Sequence, residues 1–420
     1  MNEKNTRNVI PNVDSKKKEE RNVPDLRFKG FVNDWIISNI YNEFSFLNNN
    51  SFSRDNLNYN HGLKKNIHYG DILTKYETVK NPIDNDVPYI NDNIKTSNGL
   101  TELISGDIIL ADTAEDYIVG KAIEIYNPNS LKLYSGLHTI ALRPKSKFSI
   151  GYLAYYFNSY YHKKRMFPLI QGIKVYSISK TALSTLLIRF PDLEEQEKIS
   201  RLLIKIDNRI FTQKKIISNL KSLINSIKNT EFYYIKGFKE KLENILIELN
   251  EKTIINNQYD VLSSTVKGIF KQSDYFDRTV ASENTIGYKI VKRGNIVVSP
   301  QNLWMGNISY NDKFDMGIVS PSYKIFNISS NYNERYIFEM LTTKKSLYLF
   351  KTVSEQGASV VRRNLNYEAF MQLTFNVPSL NEQNNFIEKL SLLQSKLSLE
   401  NKILSLLEQQ KQYLLDKLFI

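Results

Sequence analysis

The chain contains one long element twice, and this repeat limits its possible folds more than any other feature of the sequence. The first copy runs from Pro191 to Phe232, and the second begins at Pro378. The copies align without a gap at an offset of 187 positions, which places Leu193 on Leu380, Glu195 on Glu382, Gln196 on Gln383 and Phe232 on Phe419. The expected order is therefore a variable segment, a long element, a second variable segment and a second long element.

Both copies have the periodicity of a long helix. Apolar residues recur at alternating steps of four and three, which is the spacing of the seam along which coiled-coil helices pair. Each copy opens with a proline and acidic residues, and these favour the first turn of a helix. A helix of about 40 residues would be about 60 Å long. The predicted seam positions are Ile199, Leu203, Ile206, Ile210, Gln213, Ile217, Leu220, Ile224, Leu390, Leu393, Leu397, Glu400, Leu404, Leu407 and Leu414.

Two helices of equal length bury such seams most simply against each other, in antiparallel orientation. Full overlap would bring the polar seam residues Gln213 and Glu400 face to face near the middle of the helices. A buried polar pair costs stability but fixes the register, because a slip would leave each group unpaired. Two alternatives remain open. The helices pack on separate cores, or one or both polar side chains turn to solvent.

The repeat predicts a mixed α+β protein, with two globular domains separated by two long antiparallel coiled-coil helices and an internal pseudo-two-fold repeat. Residues 1–22 carry a charged run and little periodicity, so a disordered tail is expected there. Residues 23–190 form the first globular domain and 191–235 the central long helix. Residues 236–377 form the second globular domain and 378–420 the C-terminal long helix.

The order of shorter elements repeats as well. NIHYGDIL and LISGDIILAD each place a Gly-Asp turn before a β-branched run, which predicts two buried strands, and GLHTIALRP predicts another. IGYLAYYFNSYYHKKRMF has a helical pattern. The second half follows the same order with IVKRGNIVVSP, MGIVSPSYKIF and ERYIFEMLTTKKSLYLF, and each half continues through a Gln-Gly turn into its long helix. A duplicated half is the economical interpretation.

Composition narrows the class of protein. No cysteine is present, which excludes disulfides and thiolate metal sites and fits a reducing cytoplasm. The four histidines lack the spacing of a metal-binding helix, and no apolar run predicts a membrane span or a signal peptide. With 56 Lys and Arg against 44 Asp and Glu, the formal net charge is +12. This balance favours a polyanionic partner such as nucleic acid.

The sequence lacks the common motifs of catalysis. It has no Walker A motif, no G-x-G-x-x-G, no G-x-S-x-G and no Asn/Asp-Pro-Pro-aromatic motif of amino-methyltransferases. Asp71 and Asp107, in the Gly-Asp turns, are candidate metal ligands, but turn formation is the commoner role of such residues. We therefore predict no catalytic residue and no metal site, and we expect a binding and assembly protein.

Several stretches together point to a known family. They are the opening PDLRFKGFVNDW, the Gly-Asp turns, the segment GIVSPSYKIF and the doubled Pro-x-Leu-x-Glu-Gln entry into a long helix, at Pro191 to Gln196 and Pro378 to Gln383. With these features the chain resembles the specificity (S) subunits of type I restriction-modification enzymes, over nearly everything from Val23 to Ile420. The second copy is less regular, since Gln394 stands where the first has Asp207 and Lys411 where it has Ile224.

The resemblance implies a non-catalytic subunit with two target recognition domains, each recognising one half of a split double-stranded DNA sequence. The long helices would hold these domains apart and dock two methyltransferase (M) subunits, and nuclease and translocase (R) subunits would join the assembled complex. It also implies that this chain holds no cofactor. S-adenosylmethionine, ATP and Mg²⁺ are expected on the partner subunits only.

Donor-rich turns are the expected places of DNA contact. Arg pairs bidentately with guanine and Gln or Asn with adenine, while Lys mostly contacts phosphate. An ordinary solvated loop residue is the alternative at every one of these positions. The candidates are Gln171, Lys174 and Tyr176 in the first domain, and Lys267, Lys271, Gln301, Asn302, Gln356, Arg362 and Arg363 in the second.

Two other functions remain open from the sequence. A self-sufficient DNA methyltransferase or nuclease would show activity as the purified chain with S-adenosylmethionine or Mg²⁺. A coiled-coil adaptor without a DNA role would show behaviour that depends neither on salt nor on DNA sequence.

Overall fold

The computed structural model describes residues 22–83, 85–97, 99–116, 118–126, 128, 132–266, 268–275, 284–356 and 362–420. The tail predicted for residues 1–22 thus lies outside the described residues, except for Asn22. The chain divides into two compact units. Unit 1 comprises Met1–Lys214 and Lys402–Ile420, and unit 2 comprises Lys215–Asn401.

Two helices are far longer than the others. The central helix, Leu193–Tyr233, has 41 residues, and the C-terminal helix, Leu380–Lys417, has 38. The predicted pair of long helices is confirmed, while the domain boundaries drawn from the sequence stay predictions. No helix within the described ranges is long and apolar enough to cross a membrane.

The doubled Glu-Gln entry has a physical explanation in its two buried glutamines, Gln196 and Gln383. The Nε2 of each donates to the carbonyl oxygen of the proline that opens its own helix, at 2.8 Å in both copies. The Oε1 of each accepts a backbone N–H, from Ser149 (3.1 Å) and Asn333 (2.8 Å). Each glutamine therefore joins the start of a long helix to the segment just before an earlier, shorter helix. These shorter helices are Tyr152–Asn158 in unit 1 and Glu334–Leu341 in unit 2.

The two glutamates of this entry have different partners. Glu195 is fully buried and accepts two hydrogen bonds from Arg27, each of 2.8 Å, which ties the opening segment PDLRFKGF to the central helix. The Glu382 carboxylate instead accepts from the Ser379 N–H (2.9 Å) and hydroxyl (2.7 Å). That pair forms a capping box, which satisfies N–H groups that have no partner inside the helix.

Within unit 1, the two long helices run antiparallel. Lys411 Nζ lies 2.6 Å from Asp207 Oδ1, and Glu408 Oε1 lies 3.2 Å from Lys214 Nζ. The residue number therefore falls along one helix as it rises along the other. Apolar residues of both helices share one core, namely Ile199, Leu203, Ile206, Ile210, Leu407 and Leu414.

Unit 1 surrounds this helix pair with short strands and helices. Its strands are Ile36–Asn39, Phe44–Phe46, Leu57–Asn58, Lys64–Ile67, Val79–Lys80, Tyr89–Ile90, Ile108–Ala111, Thr113–Ala114, Ala122–Ile125, Lys132–Ser135, Thr139–Pro144, Tyr176–Ser177 and Leu187–Phe190. Its shorter helices are Ile40–Glu43, Tyr69–Thr74, Tyr152–Asn158, Tyr160–Met166 and Lys180–Ser184, with 3-10 turns at Arg54–Asn56 and Phe167–Leu169.

A five-stranded sheet forms the centre of unit 1. Its order is Phe44–Phe46, Thr139–Pro144, Ile108–Ala111, Ala122–Ile125 and Val79–Lys80, and only the last pairing is parallel. The middle strands are buried along their whole length, as expected for a sheet covered on both faces. One face contributes to the core that contains the helices Tyr152–Asn158 and Leu193–Tyr233.

Unit 2 repeats this order with fewer elements. Its strands are Phe238–Lys241, Leu246–Leu249, Leu262–Thr265, Gly268–Lys271, Lys289–Lys292, Ile296–Val298, Ile308–Tyr310, Met316–Val319, Lys324–Ile328, Ser354–Gln356, Arg363–Leu365 and Thr374–Val377. Its shorter helices are Leu242–Ile245, Gln272–Tyr275, Glu334–Leu341, Lys344–Thr352 and Tyr367–Met371, with a 3-10 turn at Leu303–Met305. Its main sheet has the order Leu246–Leu249, Lys324–Ile328, Ile296–Val298 and Ile308–Tyr310.

The strand predicted in NIHYGDIL is wrong in part. Lys64–Ile67 is a strand, but the Gly-Asp pair opens the helix Tyr69–Thr74. The reason is a local cap, since His68 Nδ1 accepts the N–H of Gly70 (3.1 Å) and starts the helical turn. The strands predicted in LISGDIILAD and GLHTIALRP are confirmed as Ile108–Ala111 and Thr139–Pro144.

One buried acid makes the stability of unit 1 depend on pH. Burial raises the pKa of Glu124 to about 8, although backbone N–H groups of Gly151 and Ala154 donate to it. The folded state therefore holds a proton that the unfolded chain loses near its ordinary pKa. Stability from this group is complete below the ordinary pKa of 4.5 and is lost progressively as the pH rises from there to about 8.

Replacing Glu124 by Gln is expected to remove this dependence. Because one pKa unit is worth about 1.4 kcal/mol, the wild-type chain should lose on the order of 3 kcal/mol relative to Glu124→Gln between roughly pH 5 and pH 8. Urea unfolding at a series of pH values measures the difference. Parallel pH profiles for the two proteins would contradict a protonated Glu124.

Candidate nucleic-acid interface

The predicted DNA-contacting residues of the first domain lie together on one short loop. Gln171 and Ser177 exchange two backbone hydrogen bonds, of 2.9 and 2.8 Å, which close the loop at its base. Lys174 is exposed at its tip, and Tyr176 is half-buried. Gly172 has a φ of +117°, and a Cβ there would lie 1.8 Å from the Val175 carbonyl oxygen, so the turn requires glycine.

This loop is joined to the body of unit 1 by a two-stranded pairing. Tyr176 and Ser177 pair with Ala114 and Thr113, in antiparallel register. Beside this pairing lies His138, whose Nδ1 is 3.4 Å from Thr113 Oγ1 and whose ring meets Tyr69 edge-on at 5.2 Å. His138 was missed in the sequence. Its signal is the Gly-Leu-His turn ahead of a strand, where His138 takes the left-handed φ of +55°.

In unit 2, most of the predicted residues meet around one hairpin. Ser354–Gln356 pairs with Arg363–Leu365, and Gln356 stands directly opposite Arg363. The Arg363 N–H also donates to the Gln301 carbonyl oxygen (3.1 Å), which brings the turn containing Gln301 and Asn302 to the hairpin. Gln356, Arg362 and Gln301 are exposed, and Asn302 is half-buried.

The Arg363 side chain is half-buried and is held by contacts within unit 2. Its Nη1 donates to the Ser354 carbonyl oxygen (3.1 Å), and its guanidinium lies 5.2 Å from the centre of the Trp304 ring. Lys351 lies over the same ring at 5.8 Å. These contacts favour a positioning role for Arg363 and leave Gln356 and Arg362 as the exposed donors of the hairpin. Trp304, missed in the sequence, is the half-buried indole that holds both cations.

Lys271 lies on a second hairpin, Leu262–Thr265 with Gly268–Lys271, where it pairs with Asp260 at 2.7 Å. Lys267 lies outside the described residues. This second hairpin connects to the turn containing Gln301 and Asn302 through Ser264, whose hydroxyl donates to Asn307 Oδ1 (3.0 Å). The Asn307 N–H in turn donates to the Asn302 carbonyl oxygen (3.2 Å).

The Gly-Asp carboxylates are engaged by arginines rather than arranged around an ion. Arg54 donates to both oxygens of Asp71 (2.7 and 3.0 Å), and Arg143 does the same to Asp107 (2.9 and 2.7 Å). Both aspartates are buried, and such bidentate pairs fix the turns they occupy. Across the described stretches, no group of three or more His, Cys, Asp or Glu side chains has the arrangement of a metal site.

The predicted seam residues all lie at buried or half-buried positions of the long helices. The half-buried ones are Leu220, Leu393, Leu397, Glu400 and Leu404, and the others, including Gln213, are buried. The pairing of Gln213 with Glu400 stays a prediction.

The exposed polar side chains of the two units suit hydrogen bonding to a polar or anionic partner. Each unit presents a loop or hairpin with exposed amide and cationic donors just ahead of a long helix. Such donors match the acceptor pattern of base edges and phosphates.

Residues 66–222 match the family model described as "Type I restriction modification DNA specificity domain". A curated relative from Methanocaldococcus jannaschii, the "Putative type I restriction enzyme MjaX specificity subunit", is 27% identical over 231 residues. The match covers 53% of this chain and 52% of that protein, so the chain spans about half the length of the relative it matches.

Solved structures show the same fold over nearly the whole chain. The S subunit of a type I restriction-modification system from M. genitalium has a TM-score of 0.54 at 15% identity, covering 95% of this chain and 99% of that one. A structure described as showing complex assembly and conformational transition of the type I R-M system also has a TM-score of 0.54, at 11% identity, covering 92% and 97%. The resemblance stated from the sequence and the mixed α+β fold class are confirmed.

Proposed function

We propose that this chain, a relative of the specificity subunits of type I restriction-modification enzymes, is the non-catalytic subunit that gives such a complex its DNA sequence specificity. The observation that carries the proposal is the duplicated arrangement of donors. One polar loop in unit 1 and one polar hairpin in unit 2 occupy equivalent places before the two long helices. Each recognises one half of a split target in double-stranded DNA.

The same proposal assigns the remaining parts of the complex. Two methyltransferase subunits dock on this chain through its long helices, and nuclease and translocase subunits join through the assembled complex. Methylation uses S-adenosylmethionine on the partner, and restriction uses ATP and Mg²⁺ on partners as well. The net charge of +12 supports a polyanionic substrate, and the absence of cysteine suits a cytoplasmic complex.

Exchange of one domain is the sharpest test of this function. Residues 35–185 are replaced by the corresponding segment of a relative, and the chain is produced with its methyltransferase partner. Sequencing of methylated sites in the host genome is expected to show one half of the target changed and the other retained, because each half has its own group of donors. A change in both halves would contradict recognition in two parts.

The alternative functions are separated by a second measurement. The complex with its methyltransferase partner is expected to prefer target duplex over scrambled duplex, with affinity that falls steeply as salt rises. Methylation or cleavage by the purified chain alone would favour a self-sufficient enzyme instead. Binding without any sequence preference would remove the specificity role.

A further inference from the structure

One exposed helix face in unit 2 carries lysine and tyrosine side chains that are not part of the hairpin formed by Ser354–Gln356 and Arg363–Leu365. The helix Lys344–Thr352 has the sequence KKSLYLFKT, without an acidic residue. Lys344, Tyr348 and Lys351 follow at spacings of four and three and therefore share one side of the helix, with Lys345 beside them. All four are exposed, and Tyr348 reaches 67% exposure. We name these four residues the basic face.

A groove borders the amino-terminal half of this face. It has a volume of about 920 Å³ and lies between the helix and the last part of the central helix. The side of the groove formed by the central helix and the residue after it has amide and hydroxyl side chains, together with the rings of Phe232, Tyr233 and Tyr234. Among its described lining residues, the charged ones are Lys344 and Lys345, so the groove offers positive charge to an anion beside aromatic rings.

The other end of the basic face reaches the hairpin. Lys351 contacts the Trp304 ring, and Arg363 of the hairpin contacts the same ring. The helix also packs closely on the turn Leu303–Met305. Leu347 of the helix lies so near Gly306, the residue after this turn, that a Cβ added to Gly306 would be 3.5 Å from it. A continuous series of contacts therefore runs from the groove to the candidate base-reading residues.

The equivalent helix in unit 1 has a related pattern. In Tyr160–Met166, Tyr160 and Lys164 are exposed and four residues apart, and the Lys164 ammonium lies 5.9 Å from the centre of the Tyr160 ring. Unit 2 has the same two residue types in the reverse order, at Lys344 and Tyr348. A lysine and a tyrosine on the outer side of this helix thus occur in both units.

We propose that the basic face binds the sugar-phosphate backbone of the duplex whose bases the unit 2 hairpin reads. The inference rests on the proposed function and adds a contact that is independent of DNA sequence. Lysine ammonium groups pair with phosphates as point charges, and a tyrosine hydroxyl donates to a phosphate oxygen. Backbone contacts of this kind fix the register in which base-reading side chains meet the groove.

The test uses the full chain and a duplex of about 30 base pairs of random sequence, titrated over a range of salt concentrations. Lys344→Gln combined with Lys345→Gln is expected to weaken binding about tenfold near 0.1 M salt. The slope of log affinity against log salt should fall by about 1.8, because each phosphate contact contributes about 0.9. The helix should keep its fold, since lysines in a first turn oppose the helix dipole and glutamine removes that repulsion.

A matched control is available in the same unit. Lys389 and Lys396 are exposed on the C-terminal helix, and replacing both by Gln makes the same charge change outside the basic face. This control should leave the slope nearly unchanged. An equal drop in slope for both double variants would reduce the effect to net charge and overturn the inference. So would an unchanged slope for the Lys344 and Lys345 variant, or a wild-type chain that does not bind the duplex.

Failure of this inference is distinct from failure of the proposed function. The specificity role is decided by the preference of the partnered complex for target over scrambled duplex, whereas the basic face is decided by the salt slope of the chain alone. Weaker association with the methyltransferase subunit at an unchanged salt slope would assign the face to a protein partner and reject DNA.

Discussion

Replacing Phe419 by Ala is expected to destabilise unit 1 by about 3–5 kcal/mol, the usual cost of removing a fully buried aromatic ring from a core. Phe419 has no exposed surface, and its ring lies 5.7 Å from Tyr152 and 6.0 Å from Tyr156. These contacts join the end of the chain to the helix Tyr152–Asn158. Chemical denaturation of the full chain, with hydrogen exchange followed in that helix, measures the destabilisation.

Phe211 provides the matched control, because it is the same residue type in unit 1 but is 57% exposed. Phe211→Ala should change stability by about 0.5 kcal/mol or less, as is usual for surface positions. If Phe419→Ala cost no more stability than Phe211→Ala, the packing of Phe419 on the helix Tyr152–Asn158 would be contradicted.

Phe232 occupies the corresponding place in unit 2. Its ring lies 5.3 Å from Tyr336 and 5.5 Å from Phe386. Phe232→Ala should therefore reduce hydrogen-exchange protection in the helix Glu334–Leu341, just as Phe419→Ala does in Tyr152–Asn158. The gap-free alignment of the repeat places Phe232 on Phe419, and the structure gives both residues the same role at the ends of the two long helices.

The repeat allowed the long helices to be predicted because heptad spacing depends on local sequence alone. Their starts were predictable for the same reason, although the partners of Gln196 and Gln383 at Ser149 and Asn333 were not. Those partners come from segments about 50 residues away in the chain. Periodicity in one helix holds no information about which distant backbone N–H meets its first turn.

The role of Lys411, an irregular position in the second copy of the repeat, could not be predicted from the repeat itself. Lys411 stands where the first copy has the apolar Ile224, which makes the second copy of the repeat less regular. The structure pairs it with Asp207, whose other carboxylate oxygen accepts the Tyr155 hydroxyl at 2.7 Å. Asp207 is itself a position where the two copies differ, since Gln394 is its counterpart. The two departures from the repeat therefore compensate each other across the helix pair.

The DNA-contacting candidates divide in a way that the sequence could not show. Donor-rich turns identified the loop of Gln171 and the hairpin of Gln356, because turn chemistry is local. The difference between the exposed Arg362 and the adjacent Arg363 depends on Trp304, which is 59 positions earlier in the chain than Arg363 and contacts it across the fold. The place of His138 could not be predicted for the same reason, since its neighbours Thr113 and Tyr69 are distant in sequence.

Replacing Gly172 by Ala is expected to weaken recognition of one half of the target strongly while leaving the other half intact. The new Cβ would lie 1.8 Å from the Val175 carbonyl oxygen, so the loop between Gln171 and Ser177 must change shape. Each base-specific interaction that this change removes is worth about 1–3 kcal/mol, which predicts a roughly 10- to 100-fold weaker affinity for the target duplex. Competition assays with the methyltransferase-bound complex measure this against duplexes scrambled in one half.

Gly30 separates the effect of this collision from that of backbone strain. It also has a positive φ, of +100°, but a Cβ there would meet nothing within 4 Å. Gly30→Ala therefore adds the strain of a left-handed alanine, about 1 kcal/mol, without displacing a neighbour. Target recognition should survive in Gly30→Ala and fail for one half-site in Gly172→Ala, while binding to random duplex stays unchanged in both. Because the loop of Gln171 is the only element that Gly172→Ala is designed to disturb, retained preference for both half-sites would show that unit 1 reads DNA through other residues.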